Sequence, residues 1–351
     1  MSRFRIVAVA VVVAALAAPA AWADEPHPFA GDRQVTVMTQ NLYLGTDLRP
    51  IFAATSQAAA FAAAGAGWQQ VQANDFPSRA QEIAAEIASA KPDLVGLQEA
   101  TRYRTDFPPD GPATPAETDA YDFEQILLSA LAARGEQYEL VASFTGADVE
   151  VPTGLPPRLD VRFTDRVAIL ARADERTADL KLSNVQTGTY PTTLTLPTVL
   201  GPIAAPRGWA SVDVKIRGKS FRFVTTHLDA FSPLVRNAQA AQLLAGPAAT
   251  DLPVVVVGDF NSGPGFDPTA YGTLTSGGLT DMWVDGPVTC CHGVDRQDPS
   301  VPLTKRIDLV LTRGGFDRVS GDVLDGRTST GLWASDHAGL VETLRLPDEN
   351  G

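Results

Sequence analysis

Cysteine is nearly absent from this 351-residue chain, whose only two, Cys290 and Cys291, stand side by side. Consecutive Cα atoms lie about 3.8 Å apart, under the usual disulfide range, so a bond between them would be strained. A disulfide framework is therefore excluded as the source of stability, while free thiols and a vicinal bridge both stay open. Cys290-Cys291-His292 is a poor metal cluster, because three consecutive residues do not easily converge on one tetrahedral ion. Positive charge is also scarce: 28 Lys and Arg face 41 Asp and Glu, a formal net charge of −13. That balance argues against simple charge-driven binding to DNA or anionic membranes. It permits a site where a bound cation reverses the local field. Past the N-terminus no segment is long and uncharged enough to cross a bilayer. Several catalytic signatures are missing. There is no G-x-S-x-G nucleophile elbow, no H-E-x-x-H and no P-loop, and Gly65-Ala66-Gly67 follows an Ala-rich stretch without the third glycine of a dinucleotide loop.

What is present begins with Met1-Ser2-Arg3-Phe4-Arg5, then an uncharged run over residues 6–18, then small residues at Ala21 and Ala23. A basic start, a short apolar core and small residues before the cut describe a secretory signal peptide, residues 1–23. The run is too short to span a bilayer comfortably, and no cysteine near the cleavage point could carry a lipid. The expectation is a secreted or periplasmic protein with no stable membrane anchor and no obligate protein partner evident. Residues 24–351 are expected to form one large α/β domain. Removing the peptide deletes Arg3 and Arg5 and no acid, which deepens the negative charge.

Val254-Val255-Val256-Val257 reads as a strand buried on both faces, because β-branched side chains suit a pleated surface and no position is polar. It stops at Gly258 and delivers Asp259 and Asn261 into the turn beyond. Residues i and i+2 face one way off an extended backbone, although Asp and Asn could equally bond their own backbone in a turn. Other strands are expected at 35–41, 94–99, 166–170, 212–216, 221–227, 307–311 and 338–346, with Gly218 turning a hairpin. Helical pieces are expected within 51–73. A capping box, Ser78 with Gln81, should start a helix that buries Ala80, Ile83, Ala84, Ile87 and Ala88 and ends before Pro92. Residues 122–134 pattern as an amphipathic helix with Phe123, Ile126, Leu127, Ala130 and Leu131 on one face and Gly135 past its end, and 234–244 as another. Residues 106–119 and 149–157, rich in Pro and Gly, are expected as loops.

Six places share one grammar, an apolar strand with a polar residue at or near its end: Asn41, Glu99, His227, Asp259 with Asn261, Asp308, and Asp336 with His337. Any one of them has a dull explanation as a turn or a solvated strand end. Together they are harder to dismiss, since burying several carboxylates near one another costs several kcal/mol unless a cation compensates. Carboxylates and amides favour hard ions, Mg²⁺, Mn²⁺ or Ca²⁺. Imidazoles add a proton carrier near neutral pH. Phosphate-ester hydrolysis needs those parts: a metal for the phosphoryl oxygens, a base for water and donors for the developing charge.

The ordered fragments Thr39-Gln40-Asn41-Leu42, Asp93-Leu94-Val95-Gly96-Leu97-Gln98-Glu99, Thr226-His227-Leu228, Gly258-Asp259-Phe260-Asn261, Arg306-Ile307-Asp308-Leu309-Val310 and Ser335-Asp336-His337 resemble the endonuclease/exonuclease/phosphatase superfamily. The resemblance covers nearly the whole mature chain. It implies a four-layer α/β sandwich, two packed mixed β-sheets flanked by helices, with a metal site at one edge. It further implies Glu99 as principal metal ligand with Asn41 close by, and Asp336 at a second metal position or holding a metal-bound water. His337 would be general base or phosphate clamp, oriented by Asp308. Asp259 would activate water or assist the leaving group, Asn261 would bond phosphoryl oxygens, and His227 would contact the phosphate or serve as general acid. The expected partner is a phosphate-ester substrate: nucleic acid, phospholipid or a small organic phosphate. A nonspecific extracellular nuclease and a sphingomyelinase-like phospholipase are the specific alternatives, and a degenerate, non-catalytic binding protein is the alternative of another class. Leu42-Tyr43 departs from the abasic-site branch, which places an acid two positions after this asparagine.

Overall fold

A computed structural model describes residues 33–156, 158–296, 298 and 300–347; the expected signal peptide, 1–23, lies outside the described residues. In chain order come β1 (Gln34–Asn41), α1 (Arg49–Phe52), α2 (Gln57–Ala73), α3 (Phe76–Ala90), β2 (Leu94–Gln98), β3 (Arg102–Asp106) and β4 (Thr118–Asp122). Next are α4 (Phe123–Ala133), β5 (Tyr138–Pro152), β6 (Asp160–Arg172), β7 (Lys181–Thr189), β8 (Leu194–Thr198), β9 (Gly201–Ala205), β10 (Gly208–Ile216) and β11 (Lys219–His227). The chain ends with α5 (Pro233–Ala245), β12 (Val254–Asp259), α6 (Pro268–Ser276), β13 (Thr280–Asp281), β14 (Asp308–Arg313), β15 (Asp317–Leu324) and β16 (Gly339–Arg345). One eight-stranded sheet has the order β15-β16-β1-β2-β6-β3-β4 with β5 also on β6; a six-stranded sheet has β13-β14-β12-β11-β10-β7; β8 and β9 form a separate hairpin. Both large sheets are mixed: β1 is parallel to β2 and antiparallel to β16, and β12 is parallel to β11 and antiparallel to β14.

Three cores stack these elements into the expected four layers. Val35, Val37, Ile169 and Leu344 of the larger sheet meet Val212, Phe223, Val255 and Val257 of the smaller one. On the other side of the larger sheet, Val95, Leu97 and Leu170 pack against Ile83 and Ile87 of α3 and Leu127 and Leu131 of α4. Behind the smaller sheet, Val254 and Val256 pack against Leu243 of α5 and Leu274 of α6. The four valines of β12 therefore split between two cores by the period-2 alternation of a strand, which is why that strand has no polar face. Among the described residues no helix is long and apolar enough to cross a membrane.

Some local expectations fail. The Ser78–Gln81 capping box is not formed. Helix α3 already starts at Phe76 with Pro77 in its first turn, and Ser78 instead donates its hydroxyl to the Asp75 carboxylate. Proline, with φ preset and no N–H to satisfy, suits that first turn. Residues 149–152 are strand rather than loop: β5 runs on beside β6, from Val149 opposite Phe163 to Pro152 opposite Asp160. Pro152 is tolerated because it closes an edge strand, where no ladder N–H is required.

The two sheets leave no room for a side chain at Gly96 of β2. A methyl group there would stand 2.4 Å from Val257 Cγ2 and 2.6 Å from Thr225 Oγ1. Gly96→Ala should therefore cost about 1–3 kcal/mol by overpacking, read as a lower denaturation midpoint at unchanged m-value.

Glu342 of β16 shares its face with Leu340 and Leu344, and so is fully buried at the sheet interface. Burial pushes its carboxyl up to about 8, against the pull of Arg318 3.4 Å away. An acid whose folded pKa is raised binds its proton more tightly when folded. Its contribution is thus most favourable below the ordinary value of 4.5 and declines as pH climbs towards 8. Glu342→Gln should abolish that decline. The variant should match wild type at pH 4 and exceed its thermal midpoint at pH 8.5, an order checked by melting both proteins across that range.

Candidate active site

Strand direction gathers the polar residues. β11 and β12 are parallel and end at His227 and Asp259, while β14 runs the other way and begins at Asp308. The register pairs His227 with Asp259 and Asp259 with Asp308. The smaller sheet thus carries imidazole and two carboxylates on adjacent strands at one edge. In the larger sheet, β1 ends at Asn41 opposite Gln98, and Glu99 follows directly. Side chains then tie the two edges together. Asn41 Nδ2 donates to Asp259 Oδ2 at 3.1 Å, and Gln98 Nε2 donates to Thr225 Oγ1 at 3.0 Å. The segment before β16 is pinned to the same edge, because Ser335 Oγ donates to the Asn41 carbonyl at 2.6 Å and accepts from the His337 N–H at 3.3 Å.

Asp259 and Asn261 are both turn and site. Asp259 Oδ1 accepts the Asn261 N–H at 2.8 Å, an Asx turn, and Asn261 takes a left-handed φ of 49° rather than continuing the strand. The turn occupies one carboxylate oxygen and leaves Oδ2 as the meeting point of Asn41 Nδ2, His227 Nε2 at 3.4 Å and His337 Nε2 at 3.7 Å. It also brings the Asn261 amide within 3.1 Å of His227 Nε2. The same-side facing expected from an extended backbone is thus produced by a turn instead.

The two histidines differ in charge. Arg207 Nη1 lies 3.0 Å from His227 Nδ1 and 2.6 Å from Asp165 Oδ2. A guanidinium can only donate, so Nδ1 is the unprotonated nitrogen and Nε2 carries the hydrogen, directed at Asp259; the Asn261 Nδ2 beside it donates to the Leu228 carbonyl at 3.1 Å and makes no hydrogen bond to that nitrogen. Burial, the Arg207 charge and the His337 charge all hold His227 well below the ordinary 6.5, so it is a neutral donor. His337 goes the other way. Burial alone would lower it, but Asp308, Asp259 and Asp336 together raise it well above 6.5. Its Nδ1 sits 2.8 Å from Asp308 Oδ2, which fixes the ring and leaves Nε2–H pointing into the site. Burial, opposed by the His337 charge and aided by Asp308, lifts the Asp259 carboxyl to about 6.

On the facing sheet edge Glu99 takes φ 50° and Tyr43 φ 57°, left-handed values that neither side chain favours. Such residues cost of order 1–3 kcal/mol each and cluster where function requires them. Glu99 Oε2 accepts the Leu44 N–H at 2.6 Å. Burial, with Asp336 and Asp165 as neighbouring negative charges, pushes Glu99 up to about 8. One oxygen each of Asp165, Asp308 and Asp336 is buried with no hydrogen-bond partner. Carboxylates with orphaned buried oxygens are a donor set that a hard divalent cation would satisfy. Among the described residues, ligand atoms of Asp259, Asp308 and His337 also lie within 4.8 Å of one another. The Asp308–His337 hydrogen bond already accounts for much of that proximity, so Glu99 and Asp336 are the better cation seat.

Two neighbours were not singled out from the sequence, Asp165 and Arg207. Arg207 precedes β10, which runs antiparallel to β11, and Asp165 precedes the part of β6 that pairs antiparallel with β2, so each reaches by the start of a paired segment the edge that others reach by ending. Asp308 carries the same signal, and applying it to 166–170 would have found Asp165. Cys290 and Cys291 are joined as a vicinal disulfide across a cis peptide, with Cα atoms 3.0 Å apart. Cys291 Sγ stands 3.9 Å from His337 Nε2. His292, by contrast, stacks on Trp333 at 4.0 Å and reaches Asp325 at 2.9 Å.

Comparison with known proteins places this geometry. The model of the endonuclease/exonuclease/phosphatase family matches residues 38–337. No curated protein matches the sequence significantly. A solved family protein from Bacteroides thetaiotaomicron superposes with a TM-score of 0.59 at 16% identity, covering 90% of this chain and 99% of that one. The mannosyl-6-phosphatase Bt3783 of the same organism gives 0.55 at 15% identity, covering 88% and 99%. D. rerio TDP2, humanized by 14 mutations, gives 0.53 at 17%, covering 89% and 99%. At these identities the likeness is one of fold.

Proposed function

Because the chain belongs to the endonuclease/exonuclease/phosphatase family, it is a hydrolase of phosphate esters, and we propose that it is an exported, divalent-cation-dependent phosphodiesterase. Three N–H donors converging on Asp259 Oδ2 at a shared sheet edge carry this reading. Asp259 accepts a proton from the attacking water. Its carboxyl at about 6 suits that work near neutral pH. His337, charged and locked by Asp308, donates Nε2–H to a phosphoryl oxygen, and neutral His227 and the Asn261 amide supply further donors as negative charge grows there. Glu99 and Asp336, with Asn41 beside them, would hold the cation. When bound, the cation neutralises phosphoryl oxygens and favours in-line displacement. Export rests on the basic-apolar-small pattern of residues 1–23.

A substrate panel tests the diester assignment. Purified mature protein is offered plasmid DNA, RNA, sphingomyelin and inositol phosphates, each with and without EDTA. At least one of the three diesters should be cleaved in the presence of Mg²⁺, Mn²⁺ or Ca²⁺, and inositol phosphates should be left intact. Release of phosphate from the monoesters alone would overturn the diesterase reading.

A further inference from the structure

A cavity of about 290 Å³ opens directly beside Glu99. It is walled by α1, α2, the β5–β6 pair and β9, and by the segment after His227. Trp68, Val149, Val161, Phe163, Ile203 and Phe231 are among its lining side chains, and its charged edge towards the catalytic residues is Glu99, Asp165 and Arg207. Arg207 also contacts His227, so the cavity and the phosphate site share a wall. Its other charged residues, Asp47 and Arg49, pair with each other at 2.8 Å near the surface. Phe231, at the mouth and 45% exposed, packs edge-on against Phe52, so apolar surface continues outward from the cavity.

A phosphate ester seated between Asp259 and Glu99 would have this cavity open to one of its substituents. A polynucleotide would send a sugar and a further phosphate there, which need cations and hydrogen-bond donors along the wall. The wall offers hydrocarbon, and the chain as a whole is acidic. We propose that the cavity is a specificity pocket for an apolar alkyl or aryl substituent, so that the preferred substrate is an amphiphilic phosphoester rather than a nucleic acid. This rests on the phosphoesterase reading above and narrows its substrate class. The volume lies at the small end of ligand pockets, which suits one ring or a short chain segment.

The test is calorimetric and needs no turnover. Methyl-, butyl-, hexyl- and phenylphosphonate are titrated into the mature protein in Mg²⁺. Affinity should rise about threefold to fourfold per buried methylene, and the hexyl and phenyl arms tell alkyl from aryl preference. Ile203→Glu, with Val149→Asp as a second variant should the first not fold, should collapse the hexyl-to-methyl ratio. Equal affinity across the series would overturn the proposal, as would an unchanged ratio in a folded variant. So would a short oligonucleotide that outcompetes hexylphosphonate equally in wild type and variant. A rising series in a protein that hydrolyses no ester would sink the phosphodiesterase reading and leave the pocket standing.

Discussion

His337→Ala should lower kcat/KM for a phosphodiester by about 10²–10⁴-fold, the range for losing one positioned proton donor or acceptor. The ring touches Asp308 at 2.8 Å through Nδ1 and faces Asp259 through Nε2. Its removal therefore takes away the phosphate donor and strips two buried carboxylates of their counter-charge. Some stability should go as well, because a buried charge left without its partner is costly. Circular dichroism separates that loss from unfolding. Asp308→Asn provides the control. If Asp308 acts by holding the ring, the double variant should be little worse than His337→Ala, since residues acting as one unit are not additive. Turnover equal to wild type in folded His337→Ala would remove the residue from the mechanism.

Glu99→Gln should separate activity from stability by sign. Activity should fall on the order of 10³-fold, because a bound cation contributes several kcal/mol to the transition state and each 1.36 kcal/mol is tenfold. Stability in EDTA should rise, because the carboxyl is pushed up to about 8 by burial, Asp336 and Asp165, and the amide removes that repulsion. Added Mg²⁺ should raise the thermal midpoint of wild type more than that of the variant, since a ligand bound only to the folded form stabilises by mass action. A buried carboxylate kept for packing alone would give the opposite stability result.

Much of this was written in the sequence because strand ends are legible. Asn41, Glu99, His227 and Asp259 each follow an apolar run, and Asp308 precedes one. Their convergence could be inferred because several carboxylates at the ends of buried strands are costly unless they share a compensating charge. Asp165 and Arg207 are not legible because pairing direction, which turns the start of a paired segment into the functional edge, is a tertiary property. β3 and β4 escaped for another reason. Arg102–Asp106 and Thr118–Asp122 lack apolar alternation and are joined through a pair between Arg102 and Asp119 at 2.6 Å, which no periodicity shows. At Asp259-Phe260-Asn261, turn and site looked like competing readings, yet the Asx turn is what frees one oxygen for chemistry. The apolar cavity was not legible at all, since Trp68 of α2, Phe163 of β6, Ile203 of β9 and Phe231 after β11 are far apart in sequence and meet only in the folded chain.

The most direct measurement is the hydrolysis of bis(p-nitrophenyl) phosphate by the mature wild type, followed before EDTA, after EDTA and after Mg²⁺ or Mn²⁺ is restored. Turnover should vanish with the chelator and return with the ion, because the proposed mechanism relies on a cation held by Glu99 and Asp336 to neutralise the phosphoryl oxygens. Turnover indifferent to EDTA would contradict the account.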